Sequence, residues 1–376
     1  MIRSVLLLLP CLTLLAVLAP RLEAKRGRGP TIVEKEDGKY LHLTFEDDAK
    51  AQAWLYRTMT GDEDEDGNPT EPVDLIVALH GAGGKPKNFV MPLLMQGREA
   101  WCLTVAGTQE VQTDRGQGFM WSGGDVKTIV AFVKHVIGKY PIHKDRVVVW
   151  GHSAGGTMTL ATLGEAPDLF AGGLTTAAPA TPDGRHKEKR VCVFLGTEDA
   201  NWGGAASVRS YVESLAKKRA KGACAFFAVE GLGHDVPYDD YLGLGFDWIL
   251  HGAARGGEAT VPRRSKGEEG AYRHILVRFK GAQGAEGVKR SKSKAKKLLK
   301  SVAKELGKNR AYFPFEAACH SEDAETAGCG GGIDEDELKA FLPELPELEP
   351  GAVSEILESA QGLHLVYRAV PDPDDE

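Results

Sequence analysis

The apolar run Val147 to Trp150 leads directly into Gly151-His152-Ser153-Ala154-Gly155-Gly156, and from there into the small-residue stretch Thr157 to Leu163. A short, largely β-branched run predicts a buried strand, and the stretch beyond the glycines predicts a helix. A serine between two glycines at such a junction sits on a sharp, strained turn. Glycine two places before and two places after it lets neighbouring backbone pass, which holds Ser153 out over a sheet edge as a nucleophile.

A serine hydroxyl is a poor nucleophile until a base takes its proton, and that base must itself be oriented by an acid. Both follow in the chain. Asp199 comes after the run Val191 to Leu195, in Gly196-Thr197-Glu198-Asp199, and His234 comes after Cys224 to Val229, in Gly231-Leu232-Gly233-His234. Groups on loops at the carboxyl ends of strands are what an open α/β sheet supplies. Glu198 is the rival acid, and Asp235 is too close to His234 along the chain to orient it easily. His152, His143 and His251 suit structural roles better than that of the base. Developing negative charge on a substrate oxygen needs backbone N–H donors. His80-Gly81-Ala82-Gly83-Gly84, directly after Leu75 to Leu79, can provide them, with Ala82 and Ala154 as the expected oxyanion donors. No Lys-Ser/Thr pair follows these glycines, so they do not read as a phosphate cradle.

From Leu41 to about Leu250, continuous apolar runs (Leu75–Leu79, Cys102–Ala106, Val147–Trp150, Val191–Leu195, Cys224–Val229) alternate with helix-length stretches. Val126 to Val136 and Gly203 to Lys218 read as helices. The pattern predicts an α/β domain with a doubly wound, mostly parallel sheet. Residues 252–269 are nearly free of apolar side chains and rich in glycine and charge, which predicts a linker. Beyond it, His274 to Phe279 reads as a strand, Lys292 to Leu306 as a basic amphipathic helix and Leu363 to Val370 as a final strand. The expected organisation is a leader at 1–24, a first domain at 25–251, the linker, a smaller α+β domain at 270–370 and an acidic tail at 371–376.

The leader joins Arg3 to an apolar run ending near Ala19 and closes on Leu22-Glu23-Ala24. That is the form of a cleaved secretory signal, so a secreted or periplasmic location is expected, with no membrane span after cleavage. The formal charge of −7 gives no footprint for nucleic acid. The run Lys289 to Lys294 with Lys296 and Lys297 reads as the solvated face of a helix. Asp62-Glu63-Asp64-Glu65-Asp66-Gly67 starts like a calcium loop but has Val73 where a bidentate glutamate belongs, so it reads as an acidic turn. No metal and no cofactor is expected. Cys319 and Cys329 are near enough in sequence for a local disulfide, with buried thiols the plainer expectation.

Taken together, Leu79-His80-Gly81-Ala82-Gly83-Gly84, the Ser153 turn, Gly196 to Asp199 and Gly233-His234 resemble the esterase branch of the α/β-hydrolase superfamily, near polyhydroxybutyrate depolymerases and feruloyl esterases. The resemblance covers roughly residues 40–250 and implies ester hydrolysis through an acyl-enzyme on a small or polymeric ester. The short spacing from Ser153 to Asp199 leaves little room for a large lid. Residues 271–370 resemble the parvulin peptidyl-prolyl isomerases, on Tyr272 to Arg278, Cys319-His320-Ser321-Glu322-Asp323 and Ala360 to Val366. That resemblance implies a proline site with His274, His364 and Asp323 at its centre, the two histidines hydrogen-bonded to each other, and Leu338 and Phe341 as the apolar wall. Proline-containing peptides or proteins are the implied clients. The loop Lys280 to Gly284 lacks the arginine cluster of phosphate-selective parvulins, and Gln361 stands where the family often has serine or threonine. The contrasting expectation is a peptide-binding chaperone, or holdase, in which one or both domains do no chemistry.

Overall fold

In the computed structural model the described residues are 29–370, apart from 59–63, 65–67, 91–99, 115, 179–183, 187–188, 209, 212–223, 230, 238–239, 251–271, 308 and 324–331. The expected leader, linker and tail, Cys329, most of the acidic turn and the later part of the expected helix at Gly203 to Lys218 lie outside them. No helix among the described residues is long and apolar enough to cross a membrane.

The apolar runs form the sheet. Its strands are β1 (Ile32–Asp37), β2 (Tyr40–Phe45), β3 (Gln52–Tyr56), β4 (Val73–Leu79), β5 (Ala100–Val105), β8 (Ile142–His152), β9 (Gly172–Thr176), β10 (Arg190–Gly196) and β11 (Cys224–Val229). They are ordered β1-β2-β3-β5-β4-β8-β9-β10-β11. β5 through β11 in that order run parallel, while β1, β2 and β3 form an antiparallel edge. All seven residues of β4 are buried, as a central strand covered on both faces requires. A hairpin of β6 (Gln109–Thr113) and β7 (Gly116–Met120) stands apart from the sheet.

Alternation along the strands divides the core in two. Leu75, Val77, Leu79, Val147 and Val149 face Ile129, Phe132 and Val133 of α1 (Asp125–Lys139) and Leu160 and Leu163 of α2 (Ala154–Glu165). Ile76, Ala78, Val148, Trp150, Phe194 and Phe227 face the other way, toward Phe246 and Trp248 of α3 (Asp240–Leu250).

The second sheet is antiparallel, β12 (Tyr272–Val277), β14 (Gly362–Arg368) and β13 (Leu357–Ser359), with β14 in the middle. With it go α4 (Lys292–Leu306), α5 (Phe313–His320) and α6 (Glu335–Phe341). In α4, Ala295, Leu299, Val302 and Leu306 are buried along one stripe, and Lys294, Lys296, Lys297 and Lys300 are exposed. That is the amphipathic, solvated helix that the sequence indicates.

The two sheets share one core. The apolar cluster on the second face of the large sheet continues through Trp248 and Phe315 into Ile275, Leu365 and Tyr367. Phe315 of α5 is fully buried, its ring 4.9 Å from Phe227 and 5.6 Å from Trp248. Trp248 Nε1 donates to Glu316 Oε1 at 3.0 Å. Burial would raise the Glu316 carboxyl, but hydrogen bonds from His320 and Trp248, together with Arg190, outweigh it and hold the group below the usual range.

Phe315→Ala removes a ring from this junction and should cost about 3–5 kcal/mol. All six tryptophans precede residue 249, so their fluorescence reports the large-sheet half alone. The expected result is a lower urea midpoint for that signal, and a midpoint unchanged from wild type would contradict a shared core.

Candidate active site

Ser153 lies at the junction of β8 and α2 with φ 54° and ψ −121°, a conformation that a non-glycine residue holds only when its surroundings impose it. The surroundings are visible. A Cβ on Gly151 would lie 2.1 Å from the Gly155 carbonyl oxygen, and one on Gly155 would lie 2.0 Å from that of Leu79. The Ser153 N–H donates to the Thr176 carbonyl at 2.8 Å, tying the turn to β9.

Two loops close over this turn. Ser153 Oγ is 2.9 Å from His234 Nε2, and His234 Nδ1 is 2.6 Å from Asp199 Oδ2. The Asp199 side chain is fully buried, whereas that of His234 is 35% exposed, so the carboxylate is shielded while the imidazole faces the cleft. The loops are pinned to each other, since Glu198 N–H donates to Leu232 O at 2.9 Å and Gly231 N–H to Thr197 Oγ1 at 3.0 Å. The rivals stand elsewhere. Glu198 is exposed, and Asp235 Oδ1 accepts from the Val236 N–H. His143 is at the far end of β8 from Ser153, and His251 lies outside the described residues.

His152 adjoins the site. Its ring is 5.2 Å from that of His234, and its Nδ1 is 3.2 Å from Thr176 Oγ1. Burial, with His234 second, pushes it down to about 4, so it is neutral at pH 7.

The glycine-rich loop after β4 is fixed by His80. His80 Nε2 accepts from the Gly107 N–H at 3.1 Å, so its proton sits on Nδ1 and is donated to Gly81 O at 2.6 Å. Burial pushes this histidine down to about 4 as well, which keeps it in that neutral tautomer. Trp121 stacks on the ring at 4.6 Å and donates through Nε1 to His80 O. The β6–β7 hairpin is zipped onto the loop by Gly83 N–H to Phe119 O and Phe119 N–H to Gly84 O. Among the described residues, the N–H groups of Ala82 and Ala154 make no hydrogen bond, leaving them available to a ligand. A cavity of about 540 Å³ opens beside them, lined by Gly81 to Lys85, Phe89, Thr113 and His152.

A second constellation sits on the small sheet. His274 Nε2 is 2.7 Å from Asp323 Oδ2, and the rings of His274 and His364 are 5.5 Å apart. Phe341 lies beside both, 5.5 and 5.6 Å away, and Leu338 is fully buried behind β12 and β14. Asp323 is delivered by the end of α5. The Leu276 N–H donates to Ser321 Oγ, the Glu322 N–H to Leu276 O, and the Arg278 N–H to Glu322 Oε2.

The structure corrects one detail expected here. His274 and His364 form no hydrogen bond with each other, because their Nε2 atoms are engaged outward and both buried Nδ1 atoms lack a partner. Beside Gln361, Ser359 Oγ is 2.8 Å from His364 Nε2 and also accepts from the Gln361 N–H. Nothing in the sequence marked Ser359, and nothing marked Asn201, which lies against His234.

Residues 114–236 match the prolyl oligopeptidase family, and residues 274–369 match the PPIC-type PPIASE (rotamase) domain. Over 112 residues the chain is 32% identical to feruloyl esterase B of Neurospora crassa, a match that takes in 28% of this chain and spans only 38% of that relative. It is also similar to the crystal structure of a carboxylesterase from Mesorhizobium loti, at 16% identity and a TM-score of 0.40, over 58% of this chain and 98% of that one. A Bacillus cereus carboxylesterase gives 16% identity and a TM-score of 0.38, over 52% and 92%. The chain joins an esterase-like α/β-hydrolase domain to a PPIC-type rotamase domain.

His364 is pushed down to about 3, by burial first and by His274 second, and so joins His80 and His152 as a histidine held neutral by the fold. An unfolded chain takes up protons on these groups near pH 6.5. Their depressed folded values mean that the stability is complete above about pH 6.5 and is lost as pH falls toward 4. The urea midpoint should fall between pH 7 and pH 5, and His80→Gln should flatten that fall. An equally steep fall in the variant would contradict a neutral, buried His80.

Proposed function

We propose that the chain is an exported carboxylic-ester hydrolase working through an acyl-enzyme, with a peptidyl-prolyl isomerase attached. The observation that carries the first part is the unbroken chain of contacts from Ser153 Oγ through His234 to the buried Asp199, on a strained turn beside two unoccupied N–H donors.

Each side chain then has one task. His234 Nε2 takes the Ser153 proton as Oγ attacks the ester carbonyl, while Asp199 holds the Nδ1 proton and stabilises the imidazolium. The N–H groups of Ala82 and Ala154 receive the oxyanion, a contribution worth about 3–4 kcal/mol per donor in comparable sites. The C–O bond then breaks, and the alcohol leaves with the proton from His234. Water attacks the acyl-enzyme with His234 again as base, releasing the acid and restoring Ser153. The cavity beside the oxyanion loop receives one side of the ester, of a small molecule or of a polymer.

In the rotamase domain, isomerisation requires only that the twisted amide be favoured over its planar forms, against a barrier of about 18–20 kcal/mol. The apolar wall of Leu338 and Phe341 suits a proline ring, and His274, Asp323 and His364 supply fixed polar groups beside it. The clients are proline-containing peptides outside the cytoplasm, and the leader at 1–24 carries the chain there.

A fluorophosphonate probe should label Ser153, and short-chain nitrophenyl ester turnover should vanish in Ser153→Ala and in His234→Ala. Turnover that survives both substitutions would end the esterase reading. A protease-coupled proline-peptide assay should show isomerisation lowered by His274→Ala and by Asp323→Asn. The absence of any rate above the spontaneous one in wild type would leave a holdase instead.

A further inference from the structure

Asn201 is part of the machinery around His234, and the chemistry of the contact fixes how. Its amide group lies with Nδ2 placed 3.0 Å from His234 Nδ1, while its backbone N–H donates to Asp199 Oδ1 at 3.0 Å. The same His234 Nδ1 is 2.6 Å from Asp199 Oδ2. A carboxylate oxygen has only lone pairs, so at that distance Nδ1 must carry the proton. An N–H cannot accept from an amide N–H, and the two ends of an asparagine amide are interchangeable by a half turn. The oxygen end therefore faces the ring.

Building on the esterase reading above, we propose that Asn201 Oδ1 is a second acceptor for the His234 Nδ1 proton, making Asn201 a positioning residue that holds the base in its competent tautomer. With the amide nitrogen turned inward, the matching tautomer would carry its proton on Nε2. Nε2 would then donate to Ser153 Oγ and could not take its proton. Asn201 and Asp199 therefore select the same tautomer from two sides. Asn201 is exposed and Asp199 buried, so the amide adds to the carboxylate and cannot replace it.

The charged and titratable groups around His234 are Asp199 from the loop after β10, Asp235 on its own loop and neutral His152 from the turn after β8, with Ser153 at Nε2. The bond from residue 201 to Asp199 Oδ1 is made by the backbone N–H, so a substitution other than proline changes the side chain and keeps that donor.

The test uses the full chain, nitrophenyl acetate and a pH series. Asn201→Leu should lower kcat about three- to tenfold, the worth of one net hydrogen bond, with KM little changed. Its acid limb of kcat/KM should move to lower pH, because an acceptor favouring the imidazolium has gone. Asn201→Asp keeps an acceptor and adds charge, so it should recover most of the kcat and move the limb to higher pH. A role in loop structure alone would lower both variants without moving the limbs in opposite directions, and limbs that coincide with wild type would overturn the proposal. Wild type lacking serine-dependent turnover would instead overturn the esterase reading on which it rests.

Discussion

A buried carboxylate must be satisfied, and the first half of the molecule is arranged around satisfying Asp199. Its two oxygens are taken by the Asn201 N–H and by His234 Nδ1, which ties the loop after β10 to the loop after β11. An uncompensated carboxylate at that depth would cost several kcal/mol, so the imidazole cannot drift from it cheaply. With the ring held, Nε2 has one direction in which to point, and the strained turn at Ser153 meets it there. The strain at φ 54° is sustained by the close backbone passage that Gly151 and Gly155 allow.

The same large sheet is finished by a helix from the other domain. α5 has every residue from Phe313 to Cys319 buried, because hydrolase residues surround it on one side and β12 and β14 on the other. Its first turns carry Phe315 and Glu316 against Trp248, and its last leads into Ser321-Glu322-Asp323, the clip that brings Asp323 to His274. Packing at the domain junction and geometry at the rotamase site are thus properties of one eight-residue helix.

Legibility in the sequence followed physical contrast. Strands buried on both faces, such as β4, β8 and β10, announce themselves as apolar runs, and the Ser153 turn by its glycines. β9 reads Gly-Gly-Leu-Thr-Thr, has no apolar run and owes its burial to its neighbours. The β6–β7 hairpin is largely polar, and it pairs with itself and with the glycine-rich loop after β4. α5 lacks the helical alternation of a surface helix because it has no solvent face, so its pattern carried no signal. Asn201 and Ser359 were invisible for another reason. Asn201 sits in a single 3-10 turn and Ser359 at the end of β13, and only the approach of a histidine, His234 from another loop and His364 from the paired strand β14, gives each a role.

The central claim is that Ser153 passes through a covalent ester with the substrate acyl group. Mixing the full-length protein with a slowly deacylating nitrophenyl ester, quenching in acid within milliseconds and measuring the mass of the peptide containing Ser153 tests it directly. The expected result is a peptide heavier by one acyl group, at a level that decays as turnover finishes. Ester hydrolysis at full rate with that peptide at its unmodified mass throughout would contradict the account.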